Sequence, residues 1–318
     1  MKIQHPELFR IAFFIAVLLV TSYNLNAQKS EIHHPIKVIY ETDMCLDVDD
    51  VGALAMLHAL SDMGEVEFLA VCYNEVHKSG VAAIDAINAW YGRGHIPVGI
   101  YKGDLADPDE SAYLDHVARF PQDLDSESAP SAVDVYLKVL SQQPDKSVSI
   151  LSVGFLNNLY DLLKADPDLV ARKVKELVVM AGVVNDNFNL VRHNLTDQTE
   201  YVLRNWPTPL VISQHGGRTI TGARLKETPV ENPIREAYYQ WAGEKHTGRS
   251  SWDQVAVLYG VRGVQNNFDE ISTGQGKLRN GFEWEMKPGY RSWLKALIND
   301  EETAVILEPL MIKAPLRQ

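Results

Sequence analysis

The sequence predicts an α/β protein, a single domain with a mostly parallel central sheet and helices on its flanks. Three observations carry that expectation. Short β-rich runs alternate with helical patterns along most of the chain, as βαβ units do. No internal repeat, low-complexity tract or Pro/Gly-rich linker divides the 318 residues. A hydrophobic content of 46% is enough to bury a substantial core.

In chain order, IKVIYET reads as the first strand and VGALAMLHALSDM as the first helix. VEFLAVCYN, GVAAIDAINAWYGRG and IPVGIY continue as strand, helix and strand. The alternation resumes with AVDVYLKVLSQ, SVSILSVG, LNNLYDLLKA, KELVVMAG, TEYVLRNW and PLVIS. Two acidic, polar stretches, residues 102–130 and 185–198, interrupt it. Beyond Arg218 the pattern weakens, and its clearest element is a helix starting near Asp253 in SWDQVAVLYGV, with Ser251 as a candidate cap.

The first residues stand apart. Lys2 and Arg10 flank the start of the apolar run IAFFIAVLLV, and Leu25-Asn26-Ala27 offers a small-residue cleavage site. The expectation is a signal peptide over residues 1–27 and a mature domain over 28–318, exported in the bacterial style to the periplasm. The apolar run is shorter than the ~20 residues of a comfortable membrane span. No later run is apolar enough and no cysteine follows the cut, so no membrane attachment is expected after cleavage. The cysteines, Cys45 and Cys72, stand at the ends of expected strands; one disulfide and two buried thiols are both open. A net charge of −12 without clustered Lys and Arg argues against nucleic acid as a partner.

The stretch ETDMCLDVDD places five acidic side chains in residues 41–50, at the carboxyl end of the first strand, where parallel sheets bind ligands. Capping and the helix dipole account for one of Asp49 and Asp50. They do not account for Asp43, Asp47, Asp49 and Asp50 together, because like charges within ~6 Å cost stability unless a cation sits among them. Crowded hard oxygens suit calcium or magnesium rather than zinc. An EF-hand register starting at Asp47 fails, with Val51 at a ligand position and His58 where the bidentate Glu belongs. A phosphatase of the Asp-x-Asp type fits poorly, because Glu41 occupies its nucleophile position.

This loop resembles the D-x-D-x-G-x-D-D loop of the inosine-uridine-preferring nucleoside hydrolase family, in a variant two residues longer, with Glu41 for the first aspartate and Cys45 for the glycine. Other blocks match in order: CYN with Asn74, SVGFLNNL for T-G-P-L-T-N, VVMAG for V-x-M-G-G, and SWDQVAVLYG for H-D-P-x-A. The resemblance implies a Rossmann-type core and calcium-dependent hydrolysis of the N-glycosidic bond of a riboside, in nucleoside salvage. Asp43 matches the metal-ligating general base, Asp50 and Asp253 match further Ca2+ ligands, and Val153 matches the residue that offers its backbone carbonyl. Asp49 and Asn194 match groups that hold the ribose hydroxyls, and Asn74 matches another sugar contact. Asp47 falls in the insertion, and its role is open.

Two departures stand out. Trp252 replaces a histidine thought to protonate the leaving base; purine-preferring members use tryptophan there, so Trp252 is expected to stack on an aromatic base. His215 is then the candidate for the missing proton. Arg192, in RHN, replaces a carboxylate and is expected to welcome an anionic group. Three readings stay open: a nucleoside hydrolase, a hydrolase of an anionic riboside, and a catalytically weakened ribose- or carbohydrate-binding protein. Each takes a small-molecule riboside, and each is compatible with a homo-oligomer.

Overall fold

The computed structural model describes residues 34–316; the expected signal peptide lies outside the described residues. In chain order the strands are β1 (Ile36–Thr42), β2 (Val66–Tyr73), β3 (Val98–Ile100), β4 (Val148–Ser152), β5 (Val174–Met180), β6 (Leu210–Ser213), β7 (Ile220–Thr221), β8 (Arg249–Ser250), β9 (Phe268–Ile271), β10 (Gln275–Lys277), β11 (Glu283–Glu285) and β12 (Arg291–Ala296). The helices are α1 (Asp49–Asp62), α2 (Gly80–Trp90), α3 (Leu114–Val117), α4 (Ala132–Ser141), α5 (Asn157–Ala165), α6 (Pro167–Lys173), α7 (Thr196–Asn205), α8 (Pro233–Trp241), α9 (Trp252–Arg262) and α10 (Asp300–Met311).

Eight strands form the main sheet in the order β3-β2-β1-β4-β5-β6-β12-β9. All run parallel except β9, which pairs antiparallel with β12. The expected fold class is therefore the one observed. β1 lies inside the sheet, and its side chains alternate between two apolar layers: Val38 and Tyr40 enter one, Ile39 the other. Helices cover both faces, so a strand of this kind carries apolar residues on each side.

α1 shows little helical periodicity because it is buried along nearly its whole length, from Asp49 to Leu60. It packs closely enough on α9 and α8 that a Cβ on Gly52 would stand 2.3 Å from Gln254 Nε2 and 2.5 Å from the Tyr238 hydroxyl oxygen. That approach positions the start of α1 beside the start of α9, where the site lies.

Several expectations are settled here. Cys45 and Cys72 are free, buried thiols; Cys45 belongs to one apolar layer and Cys72 to the other, so the sheet separates them. Ser251 makes no side-chain cap to α9; its hydroxyl instead pairs with that of Thr221 at 2.7 Å. The weakly patterned C-terminal third contributes β12 and β9 to the main sheet. β12 begins with a buried arginine, Arg291, whose guanidinium donates to the carbonyls of Leu203, Trp206 and Thr208. No helix among the described residues is long and apolar enough to cross a membrane.

His58, in the middle of α1, donates from Nε2 to Asn88 Oδ1 at 2.9 Å and stacks on Tyr91. Burial, helped by Arg93, lowers its pKa to about 3. An unfolded histidine titrates near ~6.5, so between those values the unfolded chain binds the extra proton, and stability falls as pH drops through that window. Urea unfolding at pH 7 and pH 4.5 should show the wild-type protein losing about 2–3 kcal/mol more than His58→Gln; equal losses would show that His58 does not carry this dependence.

Candidate active site

The loops at the carboxyl ends of β1, β4, β5 and β6 meet the start of α9 around one cavity of about 440 Å³. Asp43, Asp47, Asp49, Asp50, Val153, Trp252 and Asp253 all line it. The first loop and Asp253 are separated by some two hundred residues in the chain, and α1 and α9 bring them together.

The loop is held by its own neighbours. Thr42 donates its hydroxyl to the Asp50 carboxylate, Tyr40 donates to the Asp50 carbonyl at 3.0 Å, and Tyr113 donates to the Asp47 carbonyl at 2.7 Å. On the far wall, Asn189 Nδ2 donates to the carbonyls of Val153 at 2.6 Å and Met180 at 3.0 Å. Gly154 keeps the β4 loop tight, since a Cβ there would meet the Asp43 backbone nitrogen and Asn74 Oδ1, each at 2.6 Å.

Four of these carboxylates are nearly inaccessible: Asp43 is 7% exposed, Asp49 2%, Asp50 1% and Asp253 2%. Carboxylate oxygens of Asp47, Asp49 and Asp50 lie within 4.8 Å of one another. Burial raises all four pKa values, and the repulsion of neighbouring carboxylates adds to it; Asp50 is raised to about 7. Among the described residues, Arg249 is the basic side chain on the cavity wall. It forms ion pairs with Asp47 at 2.9 Å and Asp49 at 3.5 Å. One guanidinium does not balance this charge: Asp253 Oδ1 stays buried with no hydrogen-bond partner, and Asp49 Oδ1 has only its 3.5 Å ion pair with Arg249. Orphaned hard oxygens facing a common space fit a divalent cation of the calcium or magnesium kind.

Other expected site residues lie elsewhere. Arg192 is off the cavity wall, paired with Asp109 and stacked 4.2 Å from the Phe188 ring, so its charge is already engaged. Asn194 is exposed with a left-handed φ of 59°, also off the wall. The earlier stretch Asn187-Phe188-Asn189 lines the cavity instead; its Asn-x-Asn spacing is the signal that could have found it. His215 lies against β12, its Nε2 2.9 Å from the Leu294 carbonyl oxygen and 3.2 Å from the Ala296 nitrogen, so that either tautomer has one hydrogen bond there, while Gln214 beside it faces the cavity. Asn74 is fully buried behind the wall, donating to the Phe155 carbonyl at 2.8 Å. Glu41 points away from the cavity to Tyr136 and Asn158, and burial raises its pKa to about 8. Arg249, Asn189 and Asp186 are site residues that sequence reasoning missed; Asp186 accepts the N–H groups of Gly182, Phe188 and Leu190 and so shapes the far loop.

The family model described as "Inosine-uridine preferring nucleoside hydrolase" matches residues 38–202, just over half of the chain. The chain belongs to this family. Family membership makes it an enzyme of the N-ribosyl hydrolase class. Among solved structures, an inosine-guanosine nucleoside hydrolase is similar with a TM-score of 0.66 and 18% identity, over 87% of this chain and 98% of that one. The inosine-uridine preferring nucleoside hydrolase from Bacillus anthracis matches with a TM-score of 0.63 and 16% identity, over 87% and 99%. The type III effector protein XopQ complexed with adenosine diphosphate ribose matches at 0.64 and 13%, over 89% and 94%. At such identities the likeness is one of fold. No curated protein sequence matches significantly.

The crowded carboxylates make a test independent of catalysis. Calcium in large excess should raise the melting temperature of the wild-type protein by roughly 5 °C, equivalent to about 2–3 kcal/mol. Asp253→Asn should lose that shift, yet melt higher than the wild type in chelator, because one buried repelling charge is gone. A lower melting temperature for the variant in chelator would mean that the carboxylates do not repel.

Proposed function

We propose that this nucleoside hydrolase cleaves the N-glycosidic bond of ribonucleosides with a calcium ion held by Asp43, Asp50, Asp253 and the Val153 carbonyl. The observation that carries the reading is the convergence of those four groups on one cavity, with Asp253 Oδ1 left unpartnered. When bound, Ca2+ supplies a hard Lewis acid that orients vicinal hydroxyls and makes a neighbouring water easier to deprotonate.

The chain's own residues supply the rest. Asp49 accepts from a ribose hydroxyl, and Asn189, whose buried Oδ1 has no partner, accepts from another. Asp43 takes a proton from water as the water oxygen bonds to the anomeric carbon; the C–N bond breaks with its electron pair leaving on the base. The surrounding carboxylates stabilise the positive charge that develops on the sugar. Trp252 sits over Gly217, where a Cβ would stand 2.3 Å from the indole ring, and faces the cavity as a stacking surface for the base. With His215 engaged by β12, the leaving base takes its proton from solvent.

That absence of a histidine from the cavity wall among the described residues favours one second reading, a ribose-recognising protein with weak turnover. XopQ, whose fold is similar, is recorded with adenosine diphosphate ribose, so an anionic riboside belongs in the same test.

Inosine, uridine and adenosine diphosphate ribose, each assayed with calcium and with chelator, separate these readings. Base release from inosine should need calcium and fall about 10²–10⁴-fold in Asp43→Asn. Trp252→Ala should raise KM for inosine about 3–10-fold, the worth of one aromatic stack, and change uridine less. Tight riboside binding without turnover would leave the second reading in its place. The proposal includes export, supported by the pattern of residues 1–27. Sequencing the N-terminus of the protein recovered from outside the cytoplasm should give a start at Gln28; a start at Met1 would exclude cleavage.

A further inference from the structure

A second cluster of metal-ligating side chains lies off the acid cavity. His193 Nδ1 stands 2.7 Å from the Ala106 carbonyl oxygen. A carbonyl only accepts, so Nδ1 carries the ring proton and Nε2 of the neutral imidazole presents a lone pair. That lone pair faces Glu75 Oε2 at 3.8 Å and Asp109 Oδ2 at 3.8 Å. Both contacts are too long for hydrogen bonds. The side chains are 3%, 0% and 9% exposed, and neither His193 Nε2 nor Glu75 Oε2 has a hydrogen-bond partner. Each carboxylate has its other oxygen committed, Glu75 Oε1 to the Val76 N–H and Asp109 Oδ1 to Arg192.

We propose that Glu75, Asp109 and His193 form a second metal site, for a transition-metal dication such as zinc, separate from the calcium cavity. Three acceptors turned on one enclosed point need a cation, and the three ligand atoms lie within 4.8 Å of one another. With two separations of 3.8 Å and the third no more than 4.8 Å, a point equidistant from the three atoms is roughly 2.0–2.5 Å from each, a range that includes zinc's distances to imidazole nitrogen and carboxylate oxygen. The imidazole selects this class over calcium. The Nδ1–H to carbonyl bond is the outer contact that orients such ligands, and the ring is further held edge-on to Phe155 at 4.7 Å. The site joins the loop after β2, the 101–113 stretch and the turn before α7. It also abuts the catalytic loop, since Cys45 Sγ donates to the Asp109 carbonyl at 3.3 Å. Arg192 lowers the charge of the cluster without occupying the space between its ligands. The competing occupant is a second ring proton, which would make His193 an imidazolium paired with both carboxylates.

Cobalt(II) decides between them. The full-length protein, stripped with chelator and returned to excess calcium, should bind one equivalent of Co2+ with visible d–d bands. His193→Gln and Glu75→Gln should each weaken that binding by about tenfold or more, while Asp253→Asn leaves it unchanged. Anomalous scattering at the cobalt edge from unmutated crystals, which needs no variant to fold, should place the ion between the three side chains. No uptake of Co2+ or Zn2+, uptake indifferent to both cluster variants, or bands lost only in Asp253→Asn would each overturn the proposal.

Discussion

The structure around the cavity is organised by one electrostatic constraint: four carboxylates that burial has stripped of water face the same small space. At an effective dielectric of about 20, two unit charges 4 Å apart repel by ~4 kcal/mol; carboxylate oxygens of Asp47, Asp49 and Asp50 lie within 4.8 Å of one another, and Asp43 and Asp253 feel the same repulsion. A fold maintains that arrangement only if something offsets it. Arg249 does so on the Asp47 and Asp49 side, and the Thr42 hydroxyl does so for Asp50. The remainder, centred on the orphaned oxygen of Asp253, is the charge that the proposed cation would offset, and stability and catalysis would then both depend on that one ion.

The sheet explains why these groups meet. β1 and β4 are adjacent and parallel, so their carboxyl ends deliver Asp43 and Val153 to one edge. α1 and α9 both begin there, bringing the positive ends of two helix dipoles toward the carboxylates. Gly52 and Gly154 mark the places where packing leaves no room for a side chain. The same edge carries Glu75 just after β2, so the proposed second metal cluster shares its scaffold with the first site while using different ligands.

Resemblance to a motif and occupation of a site proved to be different matters at particular residues. The Arg192-His193-Asn194 triplet has the spacing of a sugar-binding motif, yet the turn it forms directs Arg192 to Asp109 and leaves Asn194 exposed. Asn189 takes the place at the wall because Asp186 gathers three backbone N–H groups and folds the loop back. Glu41, in the acid-rich stretch itself, is a carboxyl of the interior, shared by Tyr136 and Asn158.

The alternation of apolar runs, the acidic loop and the blocks around Val153 and Asp253 were legible from sequence alone, because each depends on local spacing: strand and helix periods, and charge crowded within ten residues. Buried elements such as α1 and the short strands after Arg218 carry little or no period, so their places in the sheet were not. Arg249 meets Asp47 across 202 positions, and His193 meets Glu75 and Asp109 through irregular loops. Contacts of that kind arise only when the chain closes on itself, since no local rule links residues whose sole relation is that packing brings their charges together.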